Sequence, residues 1–221
     1  AAISNGITLG TDWKKSSLPW GTNLQTYSDP FMTYFSGSRR RREQVMDRIS
    51  AAGGAFCVDS AFEILRGHRG DRPFTGLNHD VCMHAAEPLI RRSHTTGSLV
   101  AELDASSGFR IFVTAGSSPC LTPFKPVLPL KMPAGVDQGG PRYSDDSYWW
   151  RHEAFRIQAE MRLTEVQGPL LKEIRELEGQ YCTNIPFSPW EGADRALLSA
   201  SEEAFFRSSA LEASWLQAMK S

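Results

Sequence analysis

Apolar residues recur at two spacings along the chain, and these predict a strand-rich first part and a helical last part. Runs of leucine, β-branched and aromatic residues at 95–103 and 109–113 flank the turn-forming segment 104–108, which predicts a β-hairpin. Residues 2–9 alternate apolar and polar side chains and predict a further strand. The segment 10–38 is rich in Gly, Pro, Ser and aromatic residues without periodicity, so we expect a long ordered loop.

Helical spacing first appears in the arginine-rich segment 39–49, where Val45, Met46 and Ile49 form one apolar stripe. The stripe ends at the glycine pair that begins with Gly53, and glycine is a common helix stop. A second, shorter helix is expected at about residues 59–67. These two helices precede the predicted hairpin.

The main break in composition lies at residues 128–143, which are rich in proline and glycine. After it, three apolar stripes predict helices that begin near residue 144, at Pro169 and at residue 193. We therefore expect an α+β chain with a strand-rich part at 1–143 and a helical part at 144–221. The apolar stripe of the last helix requires a partner, either the sheet or another subunit.

Length and composition indicate a globular protein with a sizeable core, because 41% of the 221 residues are hydrophobic. A net charge of -1 argues against a nucleic-acid partner and against an anionic membrane surface, since both usually require a basic excess. No apolar run is long enough to span a bilayer, so no membrane association is expected. A cytoplasmic location is the expectation.

The four cysteines form no CxxC pair, and we expect free or buried thiols rather than a zinc ribbon or a disulfide framework. His79, Cys82 and His84 are metal-ligand types that lie close together in the sequence. Alternation places Cys82 and His84 on one side of an extended segment and His79 on the other, and no further ligand is identifiable. The sequence therefore predicts neither a metal nor a cofactor.

The segment from His94 to Val127 carries a combination of short motifs: a TTGSLV run, an SSPC turn and an FKP exit. Together with Phe62–Arg66 (FEILR) and the opening ISNGIT, these motifs stand in the order found in the secernin and dipeptidase family of cysteine N-terminal-nucleophile hydrolases, which the chain resembles over residues 1–180. The resemblance implies an αββα sandwich, partial or completed, and hydrolysis of a dipeptide or other small amide through a thioester.

The resemblance also implies site residues. Ser4-Asn5 matches a family asparagine that stabilises the oxyanion, and a side-chain amide in that role contributes about 3–4 kcal/mol to catalysis. Arg39 matches an arginine that holds a substrate carboxylate and favours the thiolate, although Arg40–Arg42 compete for this assignment. The family's nucleophile is an N-terminal cysteine, whereas this chain begins with Ala1, so we expect no hydrolysis by the chain alone.

Two hypotheses about function follow. The first is the C-terminal portion of a dipeptidase-like cysteine amide hydrolase that works with a missing N-terminal segment or a companion chain. The second is a non-catalytic interaction protein, derived from a truncated hydrolase, that closes its core by self-association. Both predict a covered sheet face, because half of a sandwich leaves apolar surface and strand edges exposed.

Overall fold

A computed structural model describes residues 2, 7–15, 17–70, 74, 79–85, 93–129, 131–136, 139–189 and 195–220. Within these ranges the chain forms helices and one small antiparallel sheet, which confirms the α+β class. The chain divides into two compact units, the first comprising residues 1–56 and 67–93 and the second residues 57–66 and 94–221. The boundary expected between residues 143 and 144 stays a prediction.

The first unit contains helices α1 (Pro30–Ser36) and α2 (Ser38–Ala52). Helix α1 interrupts the segment 10–38, for which a loop was the wrong expectation. Its start is encoded by Asp29, whose carboxylate accepts a hydrogen bond from the Met32 backbone N–H at 2.9 Å, and by Pro30 at the first helical position. Helix α2 confirms the predicted amphipathic helix and its stop at Gly53, which has φ 52°. Residues 7–9 form no strand.

The second unit is built around strands β1 (Leu99–Asp104), β2 (Gly108–Val113) and β3 (Lys125–Val127), paired antiparallel in that order. The predicted hairpin is therefore confirmed. The Asp104 carboxylate accepts the backbone N–H of Ser107 at 2.6 Å and closes the turn. Gly108 follows at φ 108°, where a Cβ atom would lie 1.9 Å from the carbonyl oxygen of Ser188, so only glycine fits.

Helix α3 (Val58–Leu65) and three long helices complete the second unit: α4 (Tyr148–Met161), α5 (Leu163–Asn184) and α6 (Arg195–Ala218). The expected helix start at Pro169 is wrong, since α5 begins six residues earlier and contains the proline. Leu163 and Val166, both buried, extend the helix in the N-terminal direction. Their burial offsets the hydrogen bond that proline removes, a loss of about 3 kcal/mol.

The core of the second unit is aromatic. The Phe62 ring of α3 stacks on Phe124 at 4.4 Å between centroids and meets the edge of Phe112 at 5.4 Å. Beside them, the Arg66 guanidinium is buried against the carboxylate of Glu178 at 2.5 Å, and the same carboxylate oxygen accepts the Phe124 backbone N–H at 2.7 Å. This ion pair and its hydrogen bond fix α3 and the start of β3 on α5.

Candidate functional site

A pocket of about 740 Å³ lies in the first unit, where α1 passes into α2. Gly37 makes the turn between the two helices with φ 64°, and a Cβ atom there would lie 1.8 Å from Nδ1 of His79. Glycine is required for both reasons, and it lets α2 start directly at the pocket wall. The wall includes Gln25, Thr33, Tyr34, Ser38, Arg39 and Arg42.

Ser38, the first residue of α2, carries the least common feature of this pocket. It is 1% exposed, and its hydroxyl oxygen has no hydrogen-bond partner among the described residues. Buried hydroxyl groups are nearly always paired, so an unpaired one in a pocket wall marks a place for a bound polar group. No side chain caps the start of α2, which leaves the positive end of the helix dipole available as well.

Three arginines after Ser38 line the pocket against one carboxylate in its described lining, that of Glu43, and make it cationic. Arg39 and Arg40 are exposed and line it, and neither has an ion pair or hydrogen bond within the described ranges. Arg42 donates through Nε to the Ala2 carbonyl at 3.0 Å, and Arg41 donates to the Ser36 carbonyl. Cations at a helix start are unfavourable unless an anion is near, and this arrangement suits an anionic ligand.

The sequence-predicted site residues have different outcomes. The structure places Arg39 in the pocket wall together with two of its three competitors, Arg40 and Arg42. Asn5 lies outside the described residues, so its oxyanion role stays a prediction. Sequence reasoning missed Ser38, although its position directly after a turn glycine and before the arginine run was a signal that could have identified it.

A second polar cluster lies in the interior of the second unit. His152 on α4 is fully buried, with Nδ1 3.0 Å from a Glu212 carboxylate oxygen on α6 and Nε2 2.7 Å from the Ser117 carbonyl oxygen. Both partners are acceptors, so the ring binds both as the imidazolium. Thr122 donates to the same Glu212 oxygen at 2.9 Å, and the ammonium of Lys125 donates to Thr122 and to the Pro123 carbonyl.

The charged groups of this cluster shift one another's pKa values. Burial alone would lower the pKa of His152, but the charge and hydrogen bond of Glu212 outweigh burial and raise it. Burial likewise opposes ionisation of Glu212, yet His152 and Lys125 hold its pKa below the usual value. Burial lowers the pKa of Lys125 to about 8, against the attraction of Glu212 and Glu178. The cluster is an enclosed ion network that braces the SSPC turn.

A serine of the SSPC turn, Ser117, pairs with a histidine outside the turn, His94. The Ser117 hydroxyl lies 3.2 Å from Nε2 of His94, and Ala115 and Ser118 have positive φ of 49° and 55°. A serine beside an imidazole is an arrangement used in nucleophilic catalysis, and strained backbone often accompanies it. Ser117 is fully buried, however, so in this arrangement the pair fastens the turn.

The four cysteines are free thiols, as expected from their spacing: Cys57 is exposed, Cys82 and Cys120 are buried, and Cys182 is half-buried. Of the ligand types noted in the sequence, Cys82 and His84 lie together, with Sγ 3.6 Å from Nε2. His68 lies beside them, with its Nε2 3.1 Å from Nε2 of His84, whereas His79 is not part of this group.

Comparison with known protein families, curated proteins and solved structures finds no match to this chain. Among the described residues, no helix combines the length and the apolar character that a bilayer crossing requires.

Proposed function

We propose that this chain is the substrate-binding portion of a dipeptidase-like cysteine amide hydrolase, and that the pocket at the start of α2 receives the carboxylate of a dipeptide or other small amide. The observation that carries the proposal is the buried, unpaired hydroxyl of Ser38 beside Arg39 and Arg40. Three features converge on one anion there: a hydroxyl donor, guanidinium groups and a helix N-terminus. The motifs between His94 and Val127 supply the hydrolase resemblance.

In this mechanism the arginines bind and orient the substrate, and the chemistry belongs to a cysteine that the resemblance places ahead of the ISNGIT motif. A guanidinium near that thiolate would also favour its ionised form. Asn5 would stabilise the oxyanion that forms as the thiolate attacks the amide carbonyl. The finer fold, an αββα sandwich, belongs to this proposal.

Binding of unmodified dipeptides tests the pocket. Titration calorimetry should detect a dipeptide with a free carboxylate, and the matching dipeptide amide should bind at least about tenfold more weakly, since a charge-assisted hydrogen bond contributes about 1.5–3 kcal/mol. Arg39→Ala should produce a similar loss. Arg142→Ala, at an exposed arginine that does not line the pocket, is the matched control and should bind like the unmodified chain.

Equal affinity for the dipeptide and its amide would contradict the carboxylate role, and loss of binding in the Arg142 variant would show that only general charge matters. Incubation of the isolated chain with a dipeptide panel should give no turnover. Hydrolysis that depends on one of the chain's own cysteines would overturn the assignment of the nucleophile to a residue ahead of these motifs.

The second candidate, a self-associating interaction protein, is favoured by one face of the sheet. Leu99 and Leu103 on β1 are 59% and 67% exposed, and within the described residues β1 pairs only with β2. An apolar face on an edge strand is a site for a further sheet or strand. Under the first proposal a companion segment covers this face, and under the second a second copy does.

Sedimentation equilibrium distinguishes these two occupants. A concentration-dependent dimer that Leu103→Lys converts to monomer supports self-association. A monomer that remains well folded at high concentration contradicts it and leaves the face to a companion segment.

A further inference from the structure

Three side chains of metal-ligand type lie close together in the first unit. They come from residues that follow the arginine pocket in the sequence and do not line it. The ligand atoms of His68, Cys82 and His84 all lie within 4.8 Å of one another. Nε2 of His68 is 3.1 Å from Nε2 of His84, and Sγ of Cys82 is 3.6 Å from that same nitrogen. Cys82 and His84 are fully buried, and His68 is partly exposed.

Backbone contacts hold the two segments that supply these side chains. The Cys82 N–H donates to the Gly67 carbonyl at 3.3 Å, and the Arg69 N–H donates to the Asp80 carboxylate at 3.0 Å. His68 lies between these two attachments, which direct it toward the segment that carries Cys82 and His84. The cluster is therefore positioned by the backbone and does not depend on side-chain contact alone.

Two ligand atoms approach the same ring nitrogen of His84. Nε2 of a neutral imidazole offers either one proton or one lone pair, yet both His68 and Cys82 converge on the single Nε2 of His84. A metal ion between the three atoms needs one lone pair from each of them. It also satisfies both close approaches together.

The separations agree with tetrahedral zinc. Zn–N bonds of about 2.05 Å and a Zn–S bond of about 2.3 Å place two ligand nitrogens about 3.3 Å apart and a nitrogen and a sulfur about 3.6 Å apart. The two distances at His84 are 3.1 and 3.6 Å. Imidazole and thiolate are also the ligand types that zinc prefers over the oxygen donors of magnesium or calcium.

We propose that His68, Cys82 and His84 form a binding site for a zinc ion, a function separate from dipeptide binding. The three residues supply two nitrogens and one thiolate. The fourth tetrahedral position belongs to a donor other than these three residues. Binding releases the proton of the Cys82 thiol, so affinity rises with pH.

Cobalt(II) is the spectroscopic probe for this site. The untagged 221-residue chain, stripped with chelator, is titrated with cobalt chloride while the near-ultraviolet thiolate-to-cobalt charge-transfer band is recorded. We expect saturation at one equivalent and displacement of the band by zinc chloride. Cys82→Ser should abolish the band, and His68→Gln should weaken cobalt binding by at least about tenfold, since loss of even an outer-shell partner of a metal ligand costs about that much.

Cys57→Ser is the matched control, because it removes an exposed thiol outside the cluster and should leave the band and the stoichiometry unchanged. Circular dichroism checks that each variant is folded. If Cys82→Ser does not fold, the cobalt affinity of the His68→Gln variant is the test, because His68 is partly exposed. A missing band in the unmodified chain, a band that survives Cys82→Ser, an unchanged cobalt affinity in His68→Gln, or a band lost in the Cys57 variant would each overturn the zinc site.

Discussion

Nε2 of His152 donates to the carbonyl oxygen of Ser117 at 2.7 Å, and this bond joins helix α4 to the SSPC turn in the interior of the second unit. The opposite ring nitrogen contacts Glu212 on α6. One imidazolium thus connects two helices and a turn whose backbone is strained at Ala115 and Ser118.

This relationship predicts a pH dependence of stability. The folded-state pKa of His152 is raised above 6.5, so its contribution to the free energy of unfolding is complete below 6.5 and is lost as pH rises through the folded value. Urea denaturation at a series of pH values from about 6.5 upward should show this decline. In Glu212→Gln the decline should disappear, because burial then acts on His152 without its anion.

Lys125 gives a second titration, which acts in the opposite direction at higher pH. Its pKa falls from 10.5 to about 8 on folding, so the unfolded chain binds more protons between these values and stability rises with pH there. A decline below pH 8 in the Glu212→Gln variant equal to that of the unmodified chain would contradict the role given to His152.

Gly116 is the position that keeps His152 in place. A Cβ atom at Gly116 would lie 2.5 Å from Cδ2 of His152, so Gly116→Ala must displace the ring. We expect a loss of about 1–3 kcal/mol in the free energy of unfolding, measured by urea denaturation. Gly179→Ala is the control: it is exposed in α5 with nothing near its Cβ position, and it should stabilise the chain by up to about 1 kcal/mol. Equal effects of the two substitutions would argue against the steric account.

The buried pair of Arg66 and Glu178 should be more costly to break than to replace. Glu178→Gln leaves the buried guanidinium with only the more exposed Glu63 carboxylate at 3.6 Å, and we expect the free energy of unfolding to fall by about 3–5 kcal/mol. Burial raises the pKa of Glu178 despite the nearby Arg66, which indicates a substantial desolvation cost. The double variant Arg66→Met with Glu178→Met removes both charges and should recover much of the loss. A double variant as unstable as Glu178→Gln would contradict this reasoning.

Cys57 should be the most reactive thiol. It is exposed, and the hydroxyl of Ser60 lowers its pKa, whereas burial and Asp59 raise the pKa of Cys182 to about 12. Brief treatment with iodoacetamide followed by peptide mass spectrometry should find Cys57 labelled first. Preferential labelling of Cys182 would contradict the exposure and pKa assignments together.

The sequence predicted elements that local patterns encode. The hairpin around Gly108 and the glycine stop of α2 at Gly53 follow from a few adjacent residues, and both are confirmed. Helix α1 was missed although Asp29 and Pro30 mark its start, because the aromatic residues around it have no helical spacing. The extension of α5 past Pro169 depends on burial, which no local pattern reports.

The polar clusters depend on distant contacts. His152 and Glu212 are separated by 60 residues, and no spacing rule connects them. Similarly, His68 lies 16 residues from His84 in the sequence. The sequence therefore gave no reason to group His68 with Cys82 and His84, and only the fold brings it beside them. By contrast, the resemblance named Arg39 as a candidate from the sequence alone, and the structure places Arg39 in a pocket wall together with Ser38.

Helix α3 belongs to the second unit although residues of the first unit flank it on both sides. For fragment design, this interleaving means that a cut at residue 93 does not yield the second unit, since it removes the Phe62 ring that stacks on Phe124. A minimal gene for that unit has to fuse residues 57–66 to 94–221 through a new linker. During synthesis, likewise, α3 must wait for about 60 further residues before its aromatic partners leave the ribosome.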